Sequence, residues 1–312
     1  MNNLQVYKNN EIRQQEAMRA ELFNRFIAYL DASPKTVETY TKSIKQFIQY
    51  LAENGINNPT RIDVINYKES LKDRGLKPTT ITNYIAVTKI FFKWTAQEGL
   101  YPNIAEHIKG GKISREHKKD YLTSRQTKEI LKKADKETVQ GLRNYAMFVL
   151  TVTGGLRTIE LKRANVGDLR TVGDFTVLYI QGKGREEKTD YIKIAPEVEK
   201  AIRQYLKTRE NISEEQPLFT SLSNNSKGNR LTTRAISGAI KEMMKNAGYN
   251  SERLTAHSLR HTAVTLSLLA GKDITEVQQF ARHANISTTM IYNHSLDKAK
   301  NSCSDAITKA IF

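Results

Sequence analysis

The sequence predicts a mainly α-helical protein with one small antiparallel β-sheet, divided into two domains. Three observations support this. Apolar residues recur at steps of three and four through the first hundred residues and again through much of 123–282. One pair of short β-branched and aromatic runs, FTVLYIQ at 175–181 and TDYIKIA at 189–195, flanks the turn GKGREEK and reads as a hairpin. A length of 312 residues, broken by an aperiodic basic stretch after the first hundred, suits two cores rather than one.

In order, residues 1–15 read as an N-terminal extension and 16–102 as a helical bundle. Ser33 is a good N-cap and Pro34 suits the first helical position. Val37, Tyr40, Ile44, Phe47, Ile48 and Leu51 then form one apolar face, and Gly55 stands where that helix should stop. A second run starts at Pro78, sets Ile81, Tyr84, Ile85, Thr88, Phe91, Phe92 and Trp94 mostly on one side, and stops before Gly99. Shorter helical patterns cover about 16–31 and 61–74. Residues 103–121 are basic, contain glycines and show little periodicity, so they read as a linker. The second domain spans 122–292. Thr123 or Ser124 caps its first helix, a strongly apolar stretch runs from Tyr145 to Val152, the hairpin follows, and helices are expected at about 196–209, 231–247, 257–271 and 273–282. The Ser/Thr-rich segment after His283 reads as a turn. Residues 293–312 form a tail helix with Ala306, Ile307, Ala310 and Ile311 at helical spacing.

Composition narrows the function. The net charge is +16, and the excess is shared by residues 1–119 and 120–312, so both halves are basic and suit a polyanion gripped from two sides. Hydrophobic residues make up 39%, enough for packed cores. No apolar run reaches the ~18 residues a membrane span needs. The N-terminus lacks the apolar core of a secretory signal. The single cysteine, Cys303, cannot form an intramolecular disulfide, which points to the reducing cytoplasm.

Three segments carry candidate chemistry. In TGGLRTIEL, 153–161, two glycines allow a backbone turn that brings Arg157 to a surface, with Glu160 one helical step on to steady it. Alone, this is more often an ordinary surface ion pair. In HSLRHT, 257–262, His257 and Arg260 share a helix face and offer an imidazole and a guanidinium to one point, a geometry suited to phosphate oxygens. His257 and His261 are four apart, as a metal pair can be. No HExxH sequence and no cysteine cluster accompanies them, so no metal is expected. In ARHANISTTMIYNH, 281–294, His283 precedes Tyr292 by nine residues. A tyrosine on its own is usually packing.

Taken together, Arg, a hairpin Lys, His-x-x-Arg, His and Tyr occur in one order, and that order resembles the tyrosine recombinase (phage integrase) family over nearly the whole chain. SPKTVETY and KPTTITNY belong to the part that resembles the family's core-binding domain, and residues from 120 onward resemble its catalytic domain. The chain resembles the two-domain type, without a separate arm-binding domain. By this resemblance Arg157 and Arg260 are catalytic arginines, Glu160 supports the first, Lys183 in GKG is the catalytic lysine, His257 and His283 are the histidines, and Tyr292 is the nucleophile. Ala281-Arg282-His283 departs from the Leu-Gly-His common in the family, and Lys188 is a rival to Lys183.

The resemblance implies cleavage and rejoining of double-stranded DNA through a 3′-phosphotyrosyl link and a Holliday junction. The enzyme would be a homotetramer on two duplexes, with accessory DNA-bending or directionality factors as further partners, acting in integration, excision or resolution of mobile elements. Arg157, Arg260 and His283 would offset the charge built on the phosphate. His257 would take the tyrosine proton and Lys183 would protonate the leaving 5′-oxygen. The bond energy is kept in the link, so no cofactor is expected, in accord with the lack of a GxxxxGK[ST] sequence. The tail would dock on a neighbouring subunit or pack on its own. The alternatives are a type IB topoisomerase-like enzyme and a catalytically inactive DNA-binding relative.

Overall fold

The computed structural model describes residues 20–112, 120–182, 184–300 and 302–311. The chain divides into two compact units, residues 1–114 and 115–312. In the first, α1 (20–29), α2 (Pro34–Glu53), α3 (Arg61–Asp73) and α4 (Pro78–Gln97) form a helical bundle. Ser33 caps α2, its Oγ accepting from the Thr36 amide at 3.4 Å, and Pro34 takes the first helical position. Gly55 and Gly99, both at positive φ, stand just beyond the ends of α2 and α4. The core gathers the faces read from the sequence: Ile44 and Phe47 from α2, Ile85, Phe92 and Trp94 from α4, with Tyr67 from α3 set edge-on to Phe47 at 5.1 Å.

This unit reaches further than residue 102. Ala105 and Ile108, inside the stretch read as linker, are buried in the same core. After Gly99 the chain turns back, with the Leu100 amide donating to Thr95 O at 2.8 Å and the Tyr101 hydroxyl to Pro59 O at 2.7 Å. Two apolar residues are enough to anchor a segment too short to show a period.

The second unit is built around α6 (Val139–Gly154), whose buried residues include Met147, Phe148 and Leu150. It packs against α8 (Pro196–Leu206), α9 (Thr233–Asn246) and α10 (Ala256–Leu269). Before it lies α5 (Ser124–Lys133), capped by Thr123, and after it the short α7 (Thr158–Arg163). The sheet has three antiparallel strands in the order β1 (Leu169–Val172), β2 (Phe175–Ile180), β3 (Asp190–Lys193). The expected hairpin is β2–β3, with Tyr179 opposite Tyr191. Strand β1 adds a second hairpin over Gly173-Asp174. Its outward pattern, with three of four residues exposed, hides it from a periodicity reading.

The C-terminal part differs from the expectation. Helices α11 (Ile274–Ala281) and α12 (Ile286–Lys300) follow α10, and Tyr292 lies within α12. The Ser/Thr-rich segment is the first turn of that helix, not a loop. Asn285 begins it, its side chain accepting from the Ser287 amide at 2.8 Å and its carbonyl from the Thr288 amide at 3.0 Å. A domain boundary at 292 therefore cuts a helix, and the separate tail helix is α13 (Cys303–Ile311). Ile307 and Ile311 on it are 59% and 68% exposed. Among the described residues no helix is long and apolar enough to cross a membrane.

Candidate active site

The site lies in the second unit, where the turn between α6 and α7 meets α10 and the turn between α11 and α12. Gly155 ends α6 in the left-handed conformation (φ 58), and a Cβ there would come within 3.1 Å of the Phe280 ring. That tight turn puts Arg157 at the N-cap of α7. Glu160, at the third position of the helix, accepts from the Arg157 amide and from Arg157 Nη1, both at 2.9 Å. Its carboxylate is fully buried while the arginine keeps 27% exposure. The carboxylate thus caps the helix and orients the guanidinium in one arrangement.

Arg260, one turn into α10, is 1% exposed. Its Nη1 donates to Gly155 O at 2.6 Å and its Nη2 to Ala281 O, so it ties the α6–α7 turn to the end of α11. Burial, with Arg157 and Arg282 nearby, presses this guanidinium down to about 9, still protonated at neutral pH. The next residue, His261, shares a hydrogen bond between its Nδ1 and the Tyr292 hydroxyl. His257, one turn earlier and exposed, sets its ring edge-on to that of His261 at 4.6 Å.

Tyr292 is 7% exposed and packs with Val264, Val277 and Ala281. Burial pushes its phenol up to about 12, against the pull of Arg260 and Arg157. His283 lies nearly parallel to the Tyr292 ring, 6.3 Å between centroids, and its Nδ1 pairs with Thr289 Oγ1 at 2.8 Å. Burial first, then Arg260, Arg157, Arg282 and His257, hold this imidazole down to about 4. It is therefore neutral at pH 7.

A cleft of about 640 Å³ opens at this place, its wall including Arg157, Glu160, Arg185, Asp190, Arg282 and His283. The β2–β3 turn borders it at Gly182, whose carbonyl accepts from Arg163 Nη1 at 2.8 Å. Lys183 lies outside the described residues; its neighbour Gly184 has φ 79. Lys188, the rival, is bound to Asp168 Oδ2 at 2.5 Å, and that carboxylate also accepts from the Asn165 amide. Such a pair is structural in position. Among the described residues no group of three or more His, Cys, Asp or Glu converges as metal ligands do.

Arg157, Glu160, Arg260, His283 and Tyr292 are thus brought together, with His257 at the edge. Two further residues belong to the site. His261 touches the tyrosine hydroxyl; it sits four residues after His257, on the same helix face, a spacing weighed in the sequence only for metal. Arg282 turns from a departure into a participant. It stands at the C-cap of α11 with φ 53, the left-handed conformation that glycine adopts without strain, and its Nη2 reaches Glu160 Oε2 at 3.2 Å.

A helical N-terminal unit followed by a unit that gathers Arg157, Arg260 and Arg282, the histidines and Tyr292 beside an open cleft walled by Arg157, Arg282 and His283 defines a class of phosphoryl-transfer site built on cations. Residues 120–299 match the family model for the phage integrase family, and residues 23–99 match that for the phage integrase N-terminal SAM-like domain. Tyrosine recombinase XerC of Herpetosiphon aurantiacus is 30% identical over 285 residues, covering 88% of this chain and 91% of that protein. The XerH site-specific recombinase, solved as a post-cleavage complex with a palindromic difH substrate, shares the fold at a TM-score of 0.72 and 22% identity, covering 88% of this chain and 81% of that one. A lambda integrase tetramer bound to a Holliday junction also shares it, at a TM-score of 0.65 and 17% identity over 88% and 76%. The chain belongs to the phage integrase family and is a site-specific tyrosine recombinase, an enzyme that cleaves and rejoins DNA.

Proposed function

We propose that Tyr292 attacks a scissile phosphodiester of double-stranded DNA held by Arg157 and Arg260. The observation that carries this is electrostatic. Three guanidiniums, those of Arg157, Arg260 and Arg282, gather beside one fully buried carboxylate, Glu160. Buried cations in excess over their counter-ions are costly in the free protein and await an anion. A phosphate entering the cleft supplies it, and its developing negative charge in the transition state supplies more.

In the reaction the phenol proton passes to His261 Nδ1, and the exposed His257 beside it offers the way onward to solvent. The phenolate oxygen bonds to phosphorus while the bond to the 5′-oxygen breaks, leaving a 3′-phosphotyrosyl link and a 5′-hydroxyl. Lys183, by its place in the family order, gives the leaving oxygen its proton. His283 is neutral without DNA, and a bound phosphate raises its proton affinity so that it donates to a nonbridging oxygen. A 5′-hydroxyl from a second duplex then reverses the chemistry, forming a Holliday junction. We assign this to a homotetramer on two duplexes in the cytoplasm, with α13 docking its exposed Ile307 and Ile311 on a neighbouring subunit. Integration, excision or resolution of a mobile element, with accessory DNA-bending or directionality factors, is the setting.

The test is an adduct trap. Wild type is incubated with sheared host DNA, quenched with SDS, and protein-bound DNA is recovered and its attached ends sequenced, with Tyr292→Phe run beside it. Adducts from wild type alone support the reading; adducts that persist in Tyr292→Phe move the nucleophile elsewhere.

A further inference from the structure

We propose that Arg282 is a positioning residue that sets the place of Arg157 through a closed brace of Arg157, Glu160 and Arg282. The inference rests on the assignment of Arg157 as a phosphate-gripping arginine and goes beyond it.

The brace runs in both directions. Arg157 Nη1 bonds Glu160 Oε1 at 2.9 Å, and Arg157 Nη2 reaches the main-chain carbonyl of Arg282 at 3.4 Å. Arg282 Nη2 returns to Glu160 Oε2 at 3.2 Å, using the oxygen that also receives the Arg157 amide. Each arginine thus fixes the other, one through its partner's backbone and both through the shared carboxylate. The same Arg282 nitrogen lies 3.1 Å from Gly155 O and 3.4 Å from Gly154 O, while Nη1 bonds Phe280 O at 2.7 Å. The side chain therefore joins the turn that carries Arg157 to the turn that carries His283.

This is more than surface pairing. The Arg282 side chain is 10% exposed and lies in the cleft wall. It occupies a left-handed backbone position that disfavours a side chain, and its Nε is buried without a hydrogen-bond partner among the described residues. A glycine would relieve both costs. The cross-link that the arginine makes offsets both. With its Nη2 held by the carboxylate and two carbonyls and its Nη1 by Phe280 O, Arg282 is assigned an action on the phosphate through Arg157, which a double variant tests against direct contact.

The experiment uses single-turnover cleavage and binding on a duplex carrying the ends recovered from the Tyr292 adducts. The variants are Arg282→Gly, Arg282→Lys, Arg157→Lys and the double Arg157→Lys/Arg282→Gly. Arg282→Gly relieves the left-handed backbone but removes a partner of the buried Glu160, so rates are read on the folded fraction, which should bind DNA within about twofold of wild type yet cleave about 10- to 100-fold more slowly, the scale of a reacting group displaced by about 1 Å. Arg282→Lys should recover part of the loss, a readout that does not depend on the glycine variant. The double variant should be no slower than Arg157→Lys alone, because the brace has nothing left to position. Wild-type cleavage by Arg282→Gly would overturn the proposal, as would a double variant slowed by the product of the single effects, which would mean direct contact with DNA. Wild-type cleavage by Arg157→Lys would instead sink the assignment on which the brace depends.

Discussion

The Tyr292 hydroxyl is hydrogen-bonded to Nδ1 of His261, the residue directly after the buried Arg260. The phenol is therefore held against an imidazole nitrogen before DNA arrives. His261→Phe should bind DNA as wild type does but cleave about 10²-fold or more slowly, the usual scale for a lost general base. It should also lower stability by about 1–3 kcal/mol, since a buried hydroxyl loses a partner. Single-turnover cleavage and urea unfolding check both. Unchanged cleavage would return the proton to His257.

Arg260 satisfies two carbonyls as well as facing the site. Arg260→Ala should cut cleavage by at least about 10²-fold, as removal of a transition-state donor does, with binding affected by only a few-fold. It should also destabilise the protein by about 2–4 kcal/mol, because Gly155 O and Ala281 O are left buried without this donor. Loss of stability without a loss of cleavage in the folded fraction would make Arg260 a structural cation only.

The two lysines of the β2–β3 region should separate cleanly. Lys188 pairs with the buried Asp168, so Lys188→Met should lower stability by about 1–3 kcal/mol and leave the chemistry of the folded enzyme unchanged. Lys183→Ala should leave stability unchanged and slow the expulsion of the 5′-oxygen. A 5′-thio leaving group, which needs no proton, should restore its rate. Rescue of Lys188→Met instead would exchange the roles.

Much of this site is legible in the sequence because each residue type comes with a local structural sign. Gly154-Gly155 announces the turn that places Arg157, and the three-residue step announces the Glu160 pairing. The faces of α2 and α4 are readable from period alone. What stays hidden depends on long-range contact. His261 pairs with a residue 31 positions away. Arg282 looks like an intrusion until the left-handed turn and Glu160 are seen together. The first strand shows no alternation, although Gly173-Asp174 is itself a two-residue hairpin signal. The segment after His283 reads as a turn because Ser and Thr suit turns, but they equally suit the first turn of a helix that Asn285 caps.

DNA affinity should fall steeply with salt. A net charge of +16 offers many Lys and Arg to phosphates, and each neutralised phosphate releases counter-ions. Filter binding to a non-specific duplex between about 50 and 200 mM salt should show log K falling linearly with log salt, by about 10³-fold or more for six or more phosphate contacts. A flat profile would contradict binding driven by the basic surface.

The His283 imidazole gives a pH signature with a definite sign. Its folded value is held down to about 4, below the ordinary 6.5, by burial and the surrounding arginines. Between these values the unfolded chain binds a proton that the native state refuses, so stability falls as pH drops from 6.5 towards 4 and is fully present above 6.5. With the residue partly exposed, the loss should be about 2–3 kcal/mol, somewhat under the full value of the shift. His283→Gln cannot titrate and keeps a polar partner for Thr289 Oγ1, so its unfolding midpoint should be flatter across the same interval. The difference between the two proteins, measured by urea unfolding at several pH values, isolates this group from the carboxylates that titrate nearby. The phosphate should reverse the effect. With duplex bound, the imidazole regains proton affinity, so the wild-type complex should weaken on raising pH through that restored value, and His283→Gln should remove the dependence. Parallel unfolding curves for wild type and His283→Gln would show that the imidazole is not held neutral in the free enzyme.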